Sequence, residues 1–172
     1  MAFHQLEMHA ARMRGRSGGR FHVPMVVRMP YAGGVRALEH HSESREAYYA
    51  HTPGIKMVIP STPRNARSLL VSAIRDPDTV VFFEPKSVYR AFREEVPDES
   101  EAWPLGRAQV VREGSDITLI TYGAMLQPVL EAADRLAEED GVGPEVIDLL
   151  TISPLDDATM TESAQKTGRV VI

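Results

Sequence analysis

The feature that most constrains the fold is a helix near the middle of the chain that lies between two apolar runs. Ser61-Thr62-Pro63 is typical of a helix start, because a hydroxyl side chain can cap the first turn and proline at the first helical position needs no N–H donor. Residues at helical spacing then form one apolar face: Ala66, Leu69, Leu70, Ala73 and Ile74. Asp76-Pro77 ends the helix, and residues 56–59 and 80–83 on either side predict strands. Strand, helix and strand in this order predict a right-handed crossover between parallel strands.

The chain opens with apolar residues at helical spacing, which predict an amphipathic helix: Phe3, Leu6, Ala10 and Met13. The loop Ser17-Gly18-Gly19 ends this helix, and a strand is predicted at residues 23–28, closed by Pro30. A short helix is predicted at residues 44–50. These segments complete a first unit of alternating strands and helices over residues 1–92.

A second alternating unit is predicted over residues 107–172, after an acidic, proline-containing linker at residues 93–106. Its predicted strands are residues 116–122, 145–149 and 169–172, and its predicted helices are residues 125–139 and 156–166. The expected fold class is therefore α/β, with parallel sheets in two partial doubly wound domains. The opening helix has no feeding strand and the last strand has no covering helix, so we expect a piece of a larger protein.

Composition excludes several classes of function. The chain has no cysteine, which removes disulfides and thiolate nucleophiles and favours a cytoplasmic location. The net charge of -5 argues against a nucleic-acid surface, and no apolar run is long enough to cross a membrane. Residues 12–20 are locally basic among serine and glycine, and we interpret them as a solvated loop in preference to an anion or partner contact.

Two groups of residues are candidates for chemistry. His40 and His41 lie in a loop after a glycine-rich turn, although adjacent histidines on a loop are more often solvated than catalytic. Ala73, Asp76 and Asp78 lie where a helix end frees backbone carbonyls beside two carboxylates. That group is either a helix stop with solvated acids or a cation site.

Five separated stretches agree in order and spacing with one known family: VVRMPYAGGVRALEHHSES, YYAHTPGIKMVIPSTP, LLVSAIRDP, VVFFEP and REGSDITLITYGAM. Together they resemble the beta subunits of thiamine-diphosphate-dependent 2-oxo acid dehydrogenases. The resemblance implies the second half of a transketolase-like pyrimidine-binding domain, followed by the first part of a transketolase carboxy-terminal domain. It also implies oxidative decarboxylation of pyruvate or a branched-chain 2-oxo acid, with acyl transfer to lipoate.

The resemblance further implies partners and site residues. His41 matches the family's active-site histidine, and His40, Ser42 and Glu43 are candidates to orient it. Ala73, Asp76 and Asp78 match a turn that holds a structural potassium ion. The thiamine diphosphate would be shared with an alpha subunit that carries the magnesium, in a heterotetramer that meets the lipoyl domain of the acyltransferase component.

The chain departs from the family pattern in what it lacks. The acid that activates the cofactor's aminopyrimidine and the aromatic residue that stacks beside that ring fall before its matched segments. We therefore expect the main cofactor contacts to lie outside this chain, and the isolated chain to be inactive. A fragment of another thiamine-diphosphate enzyme and a non-catalytic assembly module are the alternatives.

Overall fold

The computed structural model describes residues 2–39, 42–98 and 101–172, which fold into two four-stranded sheets flanked by helices. The strands are β1 (Val26–Tyr31), β2 (Lys56–Val58), β3 (Val80–Pro85), β4 (Gln109–Arg112), β5 (Ile117–Thr121), β6 (Pro144–Asp148), β7 (Thr151–Ser153) and β8 (Val170–Val171). The α-helices are α1 (Ala2–Gln5), α2 (Met13–Arg16), α3 (Glu46–Ala50), α4 (Pro63–Arg75), α5 (Leu126–Asp140) and α6 (Asp157–Thr167). A π-helical turn spans Leu6–Ala10, and 3-10 turns span Lys86–Val88 and Gly123–Met125. The strand orders are β1-β3-β2-β7 and β4-β6-β5-β8.

In the first sheet, β1 and β2 both run parallel to β3, as the predicted crossover requires. The strand predicted at residues 23–28 is displaced, because β1 begins at Val26 and continues to Tyr31. Pro30 therefore lies inside the strand instead of closing it. Within the described residues β1 pairs with β3 and with no other strand, so it is an edge strand. Edge strands tolerate proline, because a missing N–H on the outer side breaks no ladder bond.

Helix α4 packs on this sheet largely as its sequence predicts. It begins at Pro63, and the Thr62 side chain accepts a hydrogen bond from a backbone N–H of the first turn at 3.2 Å. Leu69 and Ala73 are buried against the sheet. The expectation for Ile74 was wrong, since that residue is 65% exposed. Each helical residue turns by about 100°, so the residue after the inward-facing Ala73 points away from the core.

In the second sheet, β5 runs parallel to both β6 and β8, as predicted. Helix α5 covers it with the buried Leu126 and Ala133, which pack near Val146. Asp156 caps α6 by accepting a hydrogen bond from the Thr159 N–H at 3.2 Å. This sheet is mixed, because β4 runs antiparallel to β6. Strand β4 was not predicted from the sequence. No helix in the described part of the chain is long and apolar enough to cross a bilayer.

The two sheets are joined by β7, which follows β6 in sequence but pairs antiparallel with β2 of the first sheet. The predicted linker at residues 93–106 also contacts the first sheet's helix. The Trp103 carbonyl accepts a hydrogen bond from the Ser72 hydroxyl at 2.5 Å, and the Trp103 N–H donates to the Ser68 carbonyl at 3.3 Å. The division of the chain into units at residues 92 and 107 stays a prediction. Strand β7 lies in the second unit by sequence but belongs to the first sheet.

Candidate functional site

The ends of three parallel strands and the turn after β5 meet at one surface, which we call the carboxyl edge and define by Tyr31, Ser61, Pro85 and Gly123. Tyr31 and Pro85 are register partners at the ends of β1 and β3. Gly123 has a φ of +58°, and a Cβ there would lie 2.9 Å from both the Tyr31 hydroxyl and the Ile59 side chain. Glycine permits this contact because it carries no Cβ. Ligands of open α/β folds bind at the carboxyl ends of strands, so this edge is the candidate site.

Two phenols lie at the carboxyl edge, those of Tyr31 and Tyr122. Burial raises the pKa of Tyr31 well above its ordinary value, and the charges of Glu46 and Tyr122 raise it further. Burial, followed by the Glu46 carboxylate, also raises the pKa of Tyr122. Both phenols therefore keep their protons at neutral pH and are available as hydrogen-bond donors. Sequence reasoning missed them, because folding brings together segments about ninety residues apart.

His41, the predicted catalytic residue, and His40, a candidate to orient it, lie outside the described residues. The described residues on either side show where their loop starts and returns. Ala32, directly after β1, donates its N–H to the Glu43 carbonyl at 3.0 Å. The Ser42 N–H donates to the Glu39 carbonyl at 2.8 Å. The loop therefore leaves and rejoins the fold at the carboxyl edge.

The side chains of Ser42 and Glu43, predicted to orient His41, have other partners. The Ser42 hydroxyl donates to the Ala37 carbonyl at 2.5 Å. The Glu43 carboxylate forms an ion pair with Arg45 at 2.5 Å. Support of His41 by either group would require a change of partner, and it stays a prediction.

The predicted cation site brings its three residues together at the end of α4. The Asp76 N–H donates to the Ala73 carbonyl at 3.3 Å, and the Asp78 N–H donates to the Asp76 carboxylate at 2.9 Å. Lys56 already neutralises this group, since its ammonium nitrogen lies 2.7 and 2.8 Å from the two Asp76 carboxylate oxygens. Within residues 2–39, 42–98 and 101–172, no three His, Asp or Glu side chains cluster as a metal site.

Asp78 has its own partners, an arginine and a histidine. Its carboxylate lies 2.5 Å from Arg14 and 3.4 Å from His22. Burial acts to raise the pKa of Asp78, but hydrogen bonds from Arg14 and His22 lower it below its ordinary value. The carboxylates of the predicted site are thus paired with protein cations. The ligands left for an added cation are the backbone carbonyl oxygens freed at the helix end.

Asp148 is a buried acid that sequence reasoning missed. It ends β6 and is fully buried, and it accepts a hydrogen bond from the Ser61 hydroxyl at 2.9 Å. Burial raises the pKa of Asp148 to about 7, although hydrogen bonds from Ser61 and the Leu150 backbone oppose the shift. Its place directly after Val146 and Ile147 and before Leu149 and Leu150, as a carboxylate among apolar residues, was a sequence signal for a buried acid.

Comparison with known proteins assigns the family. Residues 1–91 match the transketolase pyrimidine-binding domain, and residues 106–172 match the transketolase C-terminal domain. The chain therefore belongs to the transketolase family. The expected α/β fold and both expected domain types are confirmed.

Its relatives include beta subunits of 2-oxo acid dehydrogenases, which confirms the resemblance. The chain is 52% identical over 167 residues to the pyruvate dehydrogenase E1 component subunit beta of Acholeplasma laidlawii, which covers 97% of this chain and 51% of that protein. It is 48% identical over 171 residues to the 2-oxoisovalerate dehydrogenase subunit beta of Bacillus subtilis, covering 99% and 52%. The chain thus spans about half the length of these relatives.

Among solved structures, the fold superposes on a split-gene transketolase described as an inactive beta4 tetramer. The TM-score is 0.71 at 25% sequence identity, and the match covers 94% of this chain and 53% of that one.

Proposed function

We propose that this chain is part of the beta subunit of a thiamine-diphosphate-dependent 2-oxo acid dehydrogenase. The complete enzyme would decarboxylate pyruvate or a branched-chain 2-oxo acid and pass the acyl group to lipoate. The supporting observation is the 46% to 54% identity, over nearly the whole chain, to beta subunits of pyruvate dehydrogenases. The similarity to a 2-oxoisovalerate dehydrogenase subunit leaves both substrate classes open.

The cofactor would lie between two chains, with its diphosphate and magnesium on an alpha subunit. Thiamine diphosphate, once bound, supplies the carbanion stabilisation that decarboxylation requires. The carboxyl edge suits one wall of such a site. Its two phenols, the buried Tyr31 and the half-buried Tyr122, hold their protons as hydrogen-bond donors. Gly123 lets the two sheets approach closely. A cytoplasmic location is part of the same proposal.

His41 would act on the lipoyl group that the acyltransferase component presents. When the lipoyl disulfide opens, the acyl group bonds to one sulfur and the other sulfur leaves as a thiolate that takes a proton. Histidine titrates near neutral pH, so an imidazole at this position can deliver that proton. The support for this role is the sequence match and the loop, whose described ends meet at the carboxyl edge.

The test uses the full-length beta subunit assembled with its alpha subunit. His41→Ala should slow reductive acylation of a lipoyl domain by roughly 10²- to 10⁴-fold, the range for loss of one general acid. Decarboxylation measured with an artificial electron acceptor should change far less. His51→Ala is the matched control, because His51 is exposed and outside this loop. Unchanged acylation in the His41 variant would remove that residue from the mechanism.

A non-catalytic assembly role is the second candidate, alongside a different thiamine-diphosphate reaction. The solved split-gene transketolase is described as an inactive tetramer of beta chains, so a chain of this fold can assemble without activity. The same experiment separates the candidates. If the assembled pair decarboxylates neither pyruvate nor branched-chain 2-oxo acids, the dehydrogenase proposal fails.

A further inference from the structure

A cavity of about 940 Å³ lies at the amino ends of the first sheet's strands, away from the carboxyl edge. Lys56, the first residue of β2, and Thr79, just before β3, form part of its wall. Helix α2 and the residue before it form the facing wall. The basic segment at residues 12–20, interpreted from sequence as a solvated loop, therefore borders a cavity and is partly helical.

Two arginines in this wall, Arg12 and Arg16, have no side-chain acceptor among the described residues. The Arg16 N–H donates to the Arg12 carbonyl at 2.9 Å, so the two residues are one helical turn apart, and both line the cavity. Like charges at this spacing repel each other. Neither side chain pairs with a carboxylate in the part of the chain that the structure describes. The Arg12 Nε is also buried without a hydrogen-bond partner among those residues. A buried donor left unsatisfied costs stability, so the Arg12 Nε favours binding of an added acceptor. The exposed Arg16 guanidinium lies one turn away and offers further donors to the same ligand.

The acid among the described residues that line this cavity is already paired with other cations. Four cationic side chains line the cavity, those of Arg12, Arg14, Arg16 and Lys56, against one acid, Asp78. Asp78 pairs with Arg14 at 2.5 Å and lies 3.6 Å from Lys56. The cavity therefore carries an excess of positive charge, concentrated at Arg12 and Arg16.

Most of the remaining wall is apolar and includes Val23, Ile55 and Pro154. Guanidinium groups match oxyanions through paired N–H donors, and apolar walls favour a ligand with an apolar body. We propose that this cavity binds a small molecule in which an oxyanion, a phosphate or a carboxylate, is attached to an apolar group. Arg12 and Arg16 hold the oxyanion. The site is independent of the dehydrogenase function, because it shares no residue with the carboxyl edge.

The test titrates the protein with phenyl phosphate, benzoate, inorganic phosphate and, at matched ionic strength, potassium chloride, using calorimetry. Phenyl phosphate should bind saturably and more tightly than inorganic phosphate, because its ring contacts the apolar wall. Arg12→Gln and Arg16→Gln should each weaken binding by about tenfold or more, the range for one charge-assisted hydrogen bond. Arg90→Gln is the matched control, since it removes the same charge from an exposed position outside the cavity.

Several outcomes separate the possibilities. Binding of phenyl phosphate without benzoate identifies a phosphate site, and binding of both identifies a general oxyanion site. Responses that chloride reproduces, or equal effects of the Arg12 and Arg90 substitutions, overturn the proposal. If Arg12→Gln does not fold, Arg16→Gln decides, because that side chain is exposed and makes no hydrogen bond within the described residues.

Discussion

At the scale of single residues, the buried Asp148 carboxyl should make the stability of the fold depend on pH. Its pKa is raised from 3.8 to about 7, chiefly by burial, so the folded chain holds a proton that the unfolded chain releases. The contribution to stability is fully present below pH 3.8 and is lost as pH rises through 7. The free energy of unfolding should therefore fall between pH 5 and 7 by on the order of 1 kcal/mol per pH unit.

Asp148→Asn should flatten this fall, since the amide cannot titrate. Urea unfolding at pH 5, 6, 7 and 8 measures the slope in both proteins. Asp140→Asn serves as the control because Asp140 is exposed, and it should keep the wild-type slope. An unchanged slope in the Asp148 variant would mean that the carboxyl ionises normally in the folded chain.

Residues whose role is local could be predicted, and residues whose role depends on distant partners could not. Thr62 and Pro63 start α4 through contacts within one turn, so the sequence pattern sufficed. Asp148 is held by Ser61, 87 positions away, and its importance appears only when the two sheets meet. The roles of Arg12 and Arg16 could not be predicted either. A basic segment in a sequence does not show which of its side chains will pair with acids in the folded chain.

At the scale of elements, the packing of α4 is tested by large-to-small substitutions. Leu70 was expected to face the sheet, but it is partly exposed, whereas Leu69 is fully buried. Leu69→Ala should cost about 2–5 kcal/mol of unfolding free energy, because it removes buried contacts and leaves a cavity. Ile74→Ala is the matched control and should cost less than about 0.5 kcal/mol. Urea unfolding of both variants measures the difference, and equal costs would contradict the packing described.

Binding of potassium at the end of α4 can be tested through thermal stability. If the freed carbonyls bind the ion beside Asp76 and Asp78, potassium should raise the melting temperature more than sodium at equal ionic strength. The expected shift is about 2–4 °C for each kcal/mol of binding. Lys56→Gln should strengthen the effect, because the Lys56 ammonium occupies the Asp76 carboxylate. Equal responses to the two salts in both proteins would leave this turn as a helix stop stabilised by ion pairs.

Element type followed from sequence wherever a segment was long or periodic. The strand-helix-strand units around α4 and α5 were predicted for that reason. The short antiparallel strands β4 and β7 were missed, because three or four residues carry too little alternation to indicate a strand. Pro30 misled the placement of β1, since a proline ends a central strand but not an edge strand.

At the scale of the whole molecule, the junction between the sheets could not be predicted from sequence. Strand β7 belongs by sequence to the second unit and by pairing to the first, and Gly123 allows the turn after β5 to contact Tyr31. Both features depend on how two separately predicted units dock. This docking forms the carboxyl edge, the candidate site, from residues of both units.

The last prediction concerns the cofactor. The chain spans about half the length of its relatives. From the resemblance we expect the residues that activate the aminopyrimidine, stack on that ring and bind the diphosphate to lie outside it. A site that keeps only one of its walls should bind the cofactor much more weakly, because each missing charge-assisted contact lowers the affinity by about tenfold or more. Calorimetry with magnesium and thiamine diphosphate should therefore detect weak binding or none to this chain by itself. The full-length beta subunit with its alpha subunit should bind clearly. Tight binding to the isolated chain would show that the carboxyl edge is a complete site, and the two-chain division of the cofactor would be wrong.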